Sequence, residues 1–281
     1  MNNKANDGIL PPVLLYKYLD INGGICTLSG RSIKFSPPNE FNDPFEFMPG
    51  GYSRDTPEKR LHIVRETLRR NPKYRYIYNS ISGLPYSIEE WNIALAMNTE
   101  QIQKIADKIF DGLQHRDWKE FADKASTHVV CSSFSEFSDN LLMWAHYAEM
   151  HKGIVIGFKT EFFSHLHKVT YSAERVTIPF SFSVSDAQFQ NAVIALMTTK
   201  SRDWEYEHEW RSILSTRNLT KSNGMYLLKF PPEAVDSIIL GVNIDDSLRK
   251  EILASILTFP NCKLYRAELH RSRFALNIVS Q

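Results

Sequence analysis

The segment Gly153-Ile154-Val155-Ile156-Gly157-Phe158 is an uncharged, mostly apolar run with the length of a buried β-strand. Shorter stretches with strand character lie on both sides of it: residues 13–18, 25–28, 32–36 and 128–134 before it, and 168–171, 176–180, 204–214, 225–230, 237–240, 263–266 and 274–279 after it. A helical pattern interrupts these strands from residue 56 to about 125. We therefore predict a single α+β domain over residues 1–281, with a mixed or antiparallel β core and a helical lobe inserted at about 56–125.

Helix start signals support the inserted lobe. Thr56 followed by Pro57 provides the residue types preferred at an N-cap and at the first helical position. Ser87 with Glu90 has the pattern of a capping box. Outside the lobe, helices are predicted at 140–149, 185–199 and 245–257, with caps at Ser138 and Ser185, and the pair Gly23-Gly24 predicts a turn.

The composition is typical of a folded, cytoplasmic protein. The chain has 281 residues, of which 43% are hydrophobic and 12% aromatic, more than a disordered chain contains. With 33 basic and 32 acidic residues the net charge is +1, which disfavours a nonspecific nucleic-acid binder but leaves a local basic patch open. Three dispersed cysteines predict neither a disulfide framework nor a zinc site. The lack of a signal peptide and of a run of about 18 apolar residues predicts no membrane association.

The segment Trp204-Glu205-Tyr206-Glu207-His208-Glu209-Trp210-Arg211 alternates ring-bearing and charged side chains. Because a strand points successive side chains to opposite faces, this pattern predicts a strand with its carboxylates on a cleft or in water. Glu207 and Glu209 would then stand about 7 Å apart on one face. One carboxylate can stabilise a developing positive charge while the other accepts a proton. The alternative is an edge strand with a solvated acidic face and Arg211 as counter-ion.

Two other segments carry polar side chains that can serve a site. Ser133 and Ser135 end a β-prone run, where their hydroxyl groups can orient a ligand or a neighbouring carboxylate. Asn42-Asp43-Pro44 predicts a structural turn, since Asn and Asp bond to nearby backbone groups and Pro44 keeps Asp43 extended. Held rigidly, Asn42 or Asp43 can also face a ligand.

The sequence favours neither a metal site nor a serine hydrolase. His165 and His167 would share a face if extended, but no third ligand follows at a diagnostic spacing. The sequence contains no Gly-rich phosphate loop and no Gly-x-Ser-x-Gly elbow. Residues 65–78 interleave Arg and Lys with tyrosines, which predicts either a nucleic-acid surface or a solvated helix end with core tyrosines.

Seven motifs spread over the chain are LYKY at 15–18, KFS at 34–36, FNDPFE at 41–46, CSSFSE at 131–136, LMWAHY at 142–147, HKG at 151–153 and WEYEHEWR at 204–211. Together, and in this order, they resemble the bacterial and phage family called domain of unknown function 2971. The name of that family records that its function is not established. The resemblance therefore implies no activity by itself.

Lys17, Ser133-Phe134-Ser135 and Glu207-His208-Glu209 follow the order of the basic residue, Ser-x-Ser and Glu-x-Glu motifs of ADP-ribosyltransferases of the Arg–Ser–Glu type. The chain resembles those enzymes more distantly, with a lysine in place of their arginine. The resemblance implies split β-sheets and NAD as the substrate. It also implies that Glu209 grips the nicotinamide ribose and stabilises the oxocarbenium-like transition state, that Glu207 helps activate the acceptor, and that Ser133 or Ser135 orients the catalytic glutamate.

We therefore expect an enzyme that cleaves NAD between nicotinamide and ribose and passes ADP-ribose to an unknown protein or nucleic-acid acceptor. This cleavage needs orientation and a negative charge beside the ribosyl cation, and Tyr18, Phe35 or Tyr147 can stack on the nicotinamide. The predicted catalytic residues are Glu207 and Glu209, and the predicted NAD-binding residues are Lys17, Tyr18, Asn42, Ser133, Ser135 and Tyr147. A phage-defence or toxin effector controlled by a regulatory partner fits this chemistry.

The alternative is a non-catalytic binding module that contacts nucleic acid or a protein partner through the helical insertion. The basic and tyrosine-rich residues at 65–78 are the reason to consider it. A nuclease is disfavoured, because the sequence shows no acidic cluster with clear metal-ligand spacing.

Overall fold

The computed structural model describes residues 9–52, 56–71, 73, 87–114, 118–178 and 187–281. The chain divides into two compact units. We call the first the sheet unit (Met1–Phe47, Lys119–Ala173 and Met197–Gln281) and the second the helical unit (Met48–Trp118 and Glu174–Leu196). Each unit is therefore built from segments that are not contiguous in the sequence.

Strands appear in most of the regions where the sequence predicted them. Their bounds are β1 (Leu14–Leu19), β2 (Ser32–Phe35), β3 (Gly51–Tyr52), β4 (Val129–Ser135), β5 (Ile154–Lys159), β6 (Leu166–Lys168), β7 (Thr170–Ser172), β8 (Thr177–Ile178), β9 (Thr199–Ser201), β10 (Glu209–Ser215), β11 (Thr220–Ser222), β12 (Met225–Lys229), β13 (Val235–Leu240), β14 (Lys263–Leu269) and β15 (Leu276–Ser280). The helices are α1 (Ile21–Gly30), α2 (Pro57–Arg70), α3 (Ile88–Met97), α4 (Thr99–Gln114), α5 (Trp118–Ser126), α6 (Leu141–Tyr147), α7 (Ala187–Met197) and α8 (Asp246–Ile256).

The sheet unit contains an eight-stranded sheet in the order β15-β14-β13-β5-β1-β4-β10-β6. Its neighbouring strands are antiparallel except for β13 and β14, which are parallel. Smaller sheets join β11, β12 and β2, and pair β7 with β9. The predicted α+β fold with a mixed, mainly antiparallel β core is thus confirmed.

Strand β5 lies inside the large sheet, as its apolar sequence predicts. It pairs with β1 over the whole length of β1 and with β13 on its other edge. Phe158 is fully buried in the core on one face of the sheet, together with Phe134 and Trp210. Tyr18 and Val155 pack with Trp144 of α6 in a second apolar cluster. The large sheet is therefore covered by apolar contacts on both faces, in keeping with the uninterrupted apolar sequence of β5.

Helix α1 replaces the turn predicted at Gly23-Gly24 and the strand predicted at 25–28, so both predictions were wrong. Asp20 caps this helix by accepting a hydrogen bond from Gly23 N. Gly24 lets the helix approach β5, since a Cβ atom there would lie 2.6 Å from Ile154 Cδ1. The two glycines therefore serve close packing within a helix rather than a reversal of the chain.

Helix α6 begins at the predicted place, but its cap is Asn140 rather than Ser138. The Asn140 side chain accepts hydrogen bonds from Leu142 N and Met143 N. The Ser138 carbonyl instead accepts a hydrogen bond from Trp144 Nε1. An asparagine caps a helix as well as a serine does, so the sequence signal for this helix was correct but was assigned to the wrong residue.

The helical unit contains α2, α3 and α4, which pack around Val64, Trp91 and Ile102. The predicted N-cap at Thr56 and the predicted capping box at Ser87 are both confirmed. The predicted cap at Ser185, the end of the strand predicted at 176–180 and most of the tyrosine-rich part of 65–78 lie outside the described residues. Within the part of the chain that the structure describes, no helix has both the length and the apolar character needed to cross a membrane.

Candidate functional site

A cleft opens in the sheet unit where β1, β4 and β10 are neighbours. Tyr16 pairs with Ser135 and Ser135 pairs with Glu209, so these three side chains lie on one face of the sheet. The cleft has a cavity volume of about 140 Å³ and is open to solvent at its mouth. Its lining includes all eight residues predicted from sequence: Lys17, Tyr18, Asn42, Ser133, Ser135, Tyr147, Glu207 and Glu209.

The segment that carries the two glutamates is not the continuous strand predicted at 204–214. Residues Arg202–Glu207 form a short 3-10 helix, and β10 begins only at Glu209. Ser201 caps the 3-10 helix, and His208 between the two elements has a left-handed backbone with φ 44°. Glu207 and Glu209 are nevertheless both buried, whereas Glu205 is exposed. The 3-10 helix and the turn at His208 thus leave Glu205 exposed and bury Glu207 and Glu209, a difference that strand alternation did not predict.

Five buried charged residues, which we call the charged cluster, occupy the base of the cleft: Glu46, Lys200, Glu207, Glu209 and Arg211. Their side chains are between 2% and 5% exposed. Arg211 donates from Nε to Glu209 Oε1 at 2.7 Å and from Nη2 to Glu209 Oε2 at 3.0 Å. Its Nη2 also donates to Glu46 Oε2 at 2.7 Å. Because unpaired buried charges are costly, these contacts hold the carboxylates in fixed positions.

The two glutamates of the Glu-x-Glu motif have opposite electrostatic environments. Burial alone would raise the pKa of Glu209, but the charges of Arg211 and Lys200 lower it to about 2. For Glu207, burial and the neighbouring Glu209 charge raise the pKa above its ordinary value, against the opposing effect of Lys200. Glu209 is therefore a fixed anion, while Glu207 is the carboxylate better suited to take up a proton.

Tyr147 of α6 connects Glu207 to Asn42 in the loop at residues 41–46. Its hydroxyl group donates to Glu207 Oε1 at 2.7 Å and accepts from Asn42 Nδ2 at 3.2 Å. Burial, followed by the Glu207 charge, raises the pKa of Tyr147, so this hydroxyl group stays protonated. The predicted turn at Asn42-Asp43-Pro44 is confirmed, since Asp43 Oδ1 accepts a hydrogen bond from Phe45 N.

The two serines of the Ser-x-Ser motif have different contacts. Ser133 pairs with Arg211 across β4 and β10, and its hydroxyl group lowers the pKa of Glu209 as a hydrogen-bond donor. Ser135 Oγ instead donates to the backbone oxygen of Glu207 at 2.7 Å. Ser133 is thus the serine next to the Glu209 carboxylate, while Ser135 fixes the backbone of Glu207.

Lys17 belongs to β1, and its side chain lines the cleft and reaches β4. Its Nζ donates to the backbone oxygen of Ser133 at 2.9 Å and lies 5.2 Å from the centre of the Phe134 ring. Burial lowers the pKa of Lys17 to about 8. This cation contacts a carbonyl and a ring rather than a carboxylate, which leaves it able to attract an anionic group of a ligand.

The aromatic residues predicted to stack on a ligand are only partly in the cleft. Tyr18 lines it but is buried, and its hydroxyl group donates to the backbone oxygen of Phe137 at 2.9 Å. Phe35 belongs to the fully buried core and does not line the cleft, so that candidate was wrong. Phe41 lines the cleft instead, with the Arg211 guanidinium 5.0 Å from its ring centre.

Glu46 and Lys200 were not among the predicted catalytic or binding residues, although the resemblance to ADP-ribosyltransferases implied that the loop at 200–204 meets the acceptor. Arg211 was considered only as a surface counter-ion. Both missed residues do fall in segments that had drawn attention: Glu46 ends the motif at 41–46, and Lys200 lies just before the Glu-x-Glu segment. An acidic and a basic residue of this kind carry no local signal that distinguishes burial from exposure. Lys200 is held by the pairing of β9 with β7, and Glu46 by its ion pairs with Arg211 and Lys200.

Comparisons with known proteins bear on the part of the chain that supplies most of this cluster. No curated protein and no solved structure matches the chain. A family model does match, from Met143 in α6 to Ser212 in β10, and this segment includes Lys200, both glutamates and Arg211. Over residues 143–212 the chain thus matches the family described as "Protein of unknown function (DUF2971)", which confirms the resemblance to that family predicted from the motifs in this segment.

Proposed function

We propose that the cleft binds NAD and cleaves the bond between nicotinamide and ribose, so that ADP-ribose passes to an acceptor. The observation that carries this proposal is the convergence of Lys17, Ser133 and the Glu207–Glu209 pair on one cleft, although they are far apart in the sequence. These are the positions that the resemblance to ADP-ribosyltransferases selects. A cleft that combines fixed anions, a cation and aromatic rings suits a ligand with a cationic ring, a ribose and phosphates.

In this proposal Glu209 supplies the negative charge beside the ribosyl cation. Its low pKa keeps it ionised throughout the physiological range. Arg211 occupies one position on each carboxylate oxygen, and a carboxylate has about four acceptor positions in all. Ser133 donates a third hydrogen bond, and the position that remains is able to accept one from a ribose hydroxyl group. A carboxylate held in place before the reaction stabilises the transition state without reorganisation.

Glu207 is the proposed proton acceptor. As the C1′–N bond breaks, its electron pair passes to the nicotinamide nitrogen, and nicotinamide leaves as a neutral molecule. The acceptor's O–H or N–H group attacks C1′, and its proton passes to Glu207. Tyr147 and Lys200 hold the Glu207 carboxylate at 2.7 Å each, one on each oxygen, so its orientation is defined before the acceptor arrives.

The other predicted residues would bind the rest of NAD. Lys17 is the cation available to a phosphate group, and it acts as a point charge. Asn42 and the Phe41 ring lie at the same cleft and can contact the nicotinamide amide and ring. We place this activity in the cytoplasm and propose a role as a phage-defence or toxin effector that a regulatory partner controls.

The test is release of nicotinamide from NAD by the purified protein. Glu209→Gln should reduce release about 100-fold or more, the scale on which one electrostatic contact to a transition state matters. Glu207→Gln should reduce it too, because the proton acceptor is lost. Glu205→Gln is the matched control: it makes the same change on the exposed side of the same segment and should keep the wild-type rate.

Two results would overturn the proposal. One is release that Glu209→Gln and Glu207→Gln leave unchanged. The other is a wild-type protein that releases no nicotinamide and whose melting temperature does not rise in millimolar NAD, because a ligand that binds the native state must stabilise it. Melting curves of the variants show whether a lost rate reflects lost folding.

The binding-module alternative stays a prediction. In the described part of the helical unit, Arg65 donates to Thr99 and Arg69 contacts Glu66 and Asn92. These contacts use the basic side chains within the unit. They give no specific reason to place nucleic acid there.

A further inference from the structure

Lys200 lies at the centre of the charged cluster and is close to all three of its carboxylates. Its Nζ is 2.7 Å from Glu207 Oε2, 3.0 Å from Glu46 Oε1 and 3.6 Å from Glu209 Oε2. Arg211, the other cation of the cluster, is in contact with Glu46 and Glu209. Lys200 is therefore the cation of the cluster that pairs with Glu207.

The ammonium group of Lys200 is surrounded by other groups of the protein. Its side chain is 3% exposed, and Nζ lies 4.6 Å from the centre of the Trp204 ring. Trp204 is fixed in turn, because its Nε1 donates to Asp43 Oδ2 at 2.8 Å. An ammonium group has three N–H donors, and here carboxylates and an aromatic face surround it. The charge of Lys200 is thus directed at the carboxylates of the cluster.

We propose that Lys200 is a positioning residue that orients Glu207 and keeps its carboxylate ionised, so that Glu207 can accept the proton of the acceptor. This inference rests on the proposed function, since it concerns the regulation of the same carboxylate. A lysine suits the position because a compact point charge can lie close to three carboxylates, whereas the planar guanidinium favours one or two.

The groups that face Glu207 explain why one cation has this effect. The uncharged Tyr147 hydroxyl group of α6 donates a hydrogen bond to Glu207 Oε1. Tyr206 is the residue before Glu207 in the 3-10 helix. Glu209 from β10 adds a like charge, which raises the pKa of Glu207 together with burial. Lys200 from β9 opposes both effects. Its removal would leave a buried carboxylate that faces a second carboxylate, an arrangement that favours protonation.

The test measures the ionisation of Glu207 directly, in the full chain and without NAD. Protein carrying glutamate labelled with ¹³C at the side-chain carboxyl is titrated by NMR, and the Glu207 signal is assigned by its loss in Glu207→Gln. Lys200→Met, which keeps length but removes charge, should raise the pKa of Glu207 by about one to three pH units. Lys168→Met is the matched control, because Lys168 instead pairs with Glu136 at 2.8 Å and lies over the Trp210 ring.

A second variant separates electrostatics from folding. Lys200→Met/Glu46→Gln removes one buried positive and one buried negative charge, so the cluster keeps its balance even if the single variant unfolds. The pKa of Glu207 should rise in this variant as well. An unchanged Glu207 pKa in whichever of the two variants folds would overturn the inference.

The catalytic readout distinguishes this inference from the proposed function. If nicotinamide is released, the acid limb of the pH profile of kcat/KM should move to higher pH in Lys200→Met, so that the rate at pH 6 falls more than the rate at pH 8. A shifted Glu207 pKa in a protein whose wild type neither releases nicotinamide nor gains melting temperature in NAD supports the role of Lys200 and overturns the proposed function alone. Release with an unshifted profile and an unshifted pKa overturns the role of Lys200 alone.

Discussion

Lys17 shows how one residue can carry an electrostatic cost that suits a binding site. Its Nζ donates to a backbone carbonyl and lies against the Phe134 ring, and in the described part of the chain it forms no ion pair. Burial without a carboxylate partner lowers its pKa from 10.5 to about 8. A phosphate group in the cleft would stabilise the charged form of Lys17. The buried lysine thus lowers the stability of the free protein and raises its affinity for an anion.

This cost should be visible as a dependence of stability on pH. Between pH 8 and 10.5 the unfolded chain keeps the Lys17 proton while the native protein has released it. The free energy of unfolding of the wild type should therefore rise with pH relative to that of Lys17→Met, by at most about 1.4 kcal/mol per pH unit. Urea unfolding of both proteins at pH 7.5, 8.5 and 9.5 measures this difference.

The control for Lys17 is Lys124→Met, which removes an exposed lysine that pairs with Glu120 on the surface. Its stability difference from the wild type should stay flat over the same pH range. A flat or falling difference for Lys17→Met would show that the lysine is not buried at a cost.

At the scale of the element, the sequence predicted which segments would contribute and often which type they would form. Strand β5 and the capping box of α3 could be predicted, because apolar runs and capping residues are local features of the sequence. The order of the motifs could also be identified from the sequence. The strand predicted at 204–214 was half wrong for a physical reason. The alternation of Trp204 to Arg211 fits a strand, but Ser201 caps a 3-10 helix and His208 turns the backbone before β10 starts.

Helix α1 was not predicted because its Gly24 serves tertiary packing against β5 rather than a turn. Gly23-Gly24 predicts a turn on local grounds, and glycine lowers helix propensity by about 1 kcal/mol. A Cβ atom at position 24 would lie 2.6 and 2.7 Å from two carbon atoms of Ile154, closer than packing allows. Burial of α1 on β5 therefore overrides local propensity, and no pattern within residues 21–30 shows this.

Gly24→Ala tests that argument. The alanine should lower the free energy of unfolding by about 1 to 3 kcal/mol, because overpacking outweighs the gain in helix propensity. The same change should cost less in the background Ile154→Val, which removes the nearer carbon atom. Gly112→Ala in α4 is the control, since its Cβ would meet nothing within 4 Å, and it should stabilise the protein. Urea unfolding of the four variants measures these differences, and an equal cost in both backgrounds would contradict the close-packing argument.

At the scale of the whole molecule, the cleft exists only because distant segments are joined. Residues near 17, 133 and 209–211 meet through the pairing of β1, β4 and β10. Hydrogen bonds and ion pairs add Glu46, Tyr147 and Lys200. The predicted site residues could be chosen from a resemblance, because motif order survives in the sequence. The two cations and three carboxylates of the charged cluster could not, because pairing between distant charges leaves no trace in any single segment.

The same cluster should determine how the sheet unit responds to acid. The pKa of Glu209 is about 2 in the native protein and 4.5 by its ordinary value, so its ionised form stabilises the native state at pH values above 4.5. This contribution should be lost as pH falls from 4.5 towards 2, at up to about 1.4 kcal/mol per pH unit. The double variant Glu209→Gln/Arg211→Met removes one buried charge of each sign and leaves Lys200 as the partner of Glu46 and Glu207, so its stability should fall less over this range. Urea unfolding at pH 2.5, 3.5, 4.5 and 5.5 measures both proteins, and Glu100→Gln/Lys104→Met removes an exposed pair as the control. If the wild type lost no more stability than the double variant, Glu209 would not be the buried anion on which the cleft depends. A steeper loss in the wild type and in Glu100→Gln/Lys104→Met than in the double variant would support Glu209 as the buried anion of the cleft, which the proposed chemistry requires.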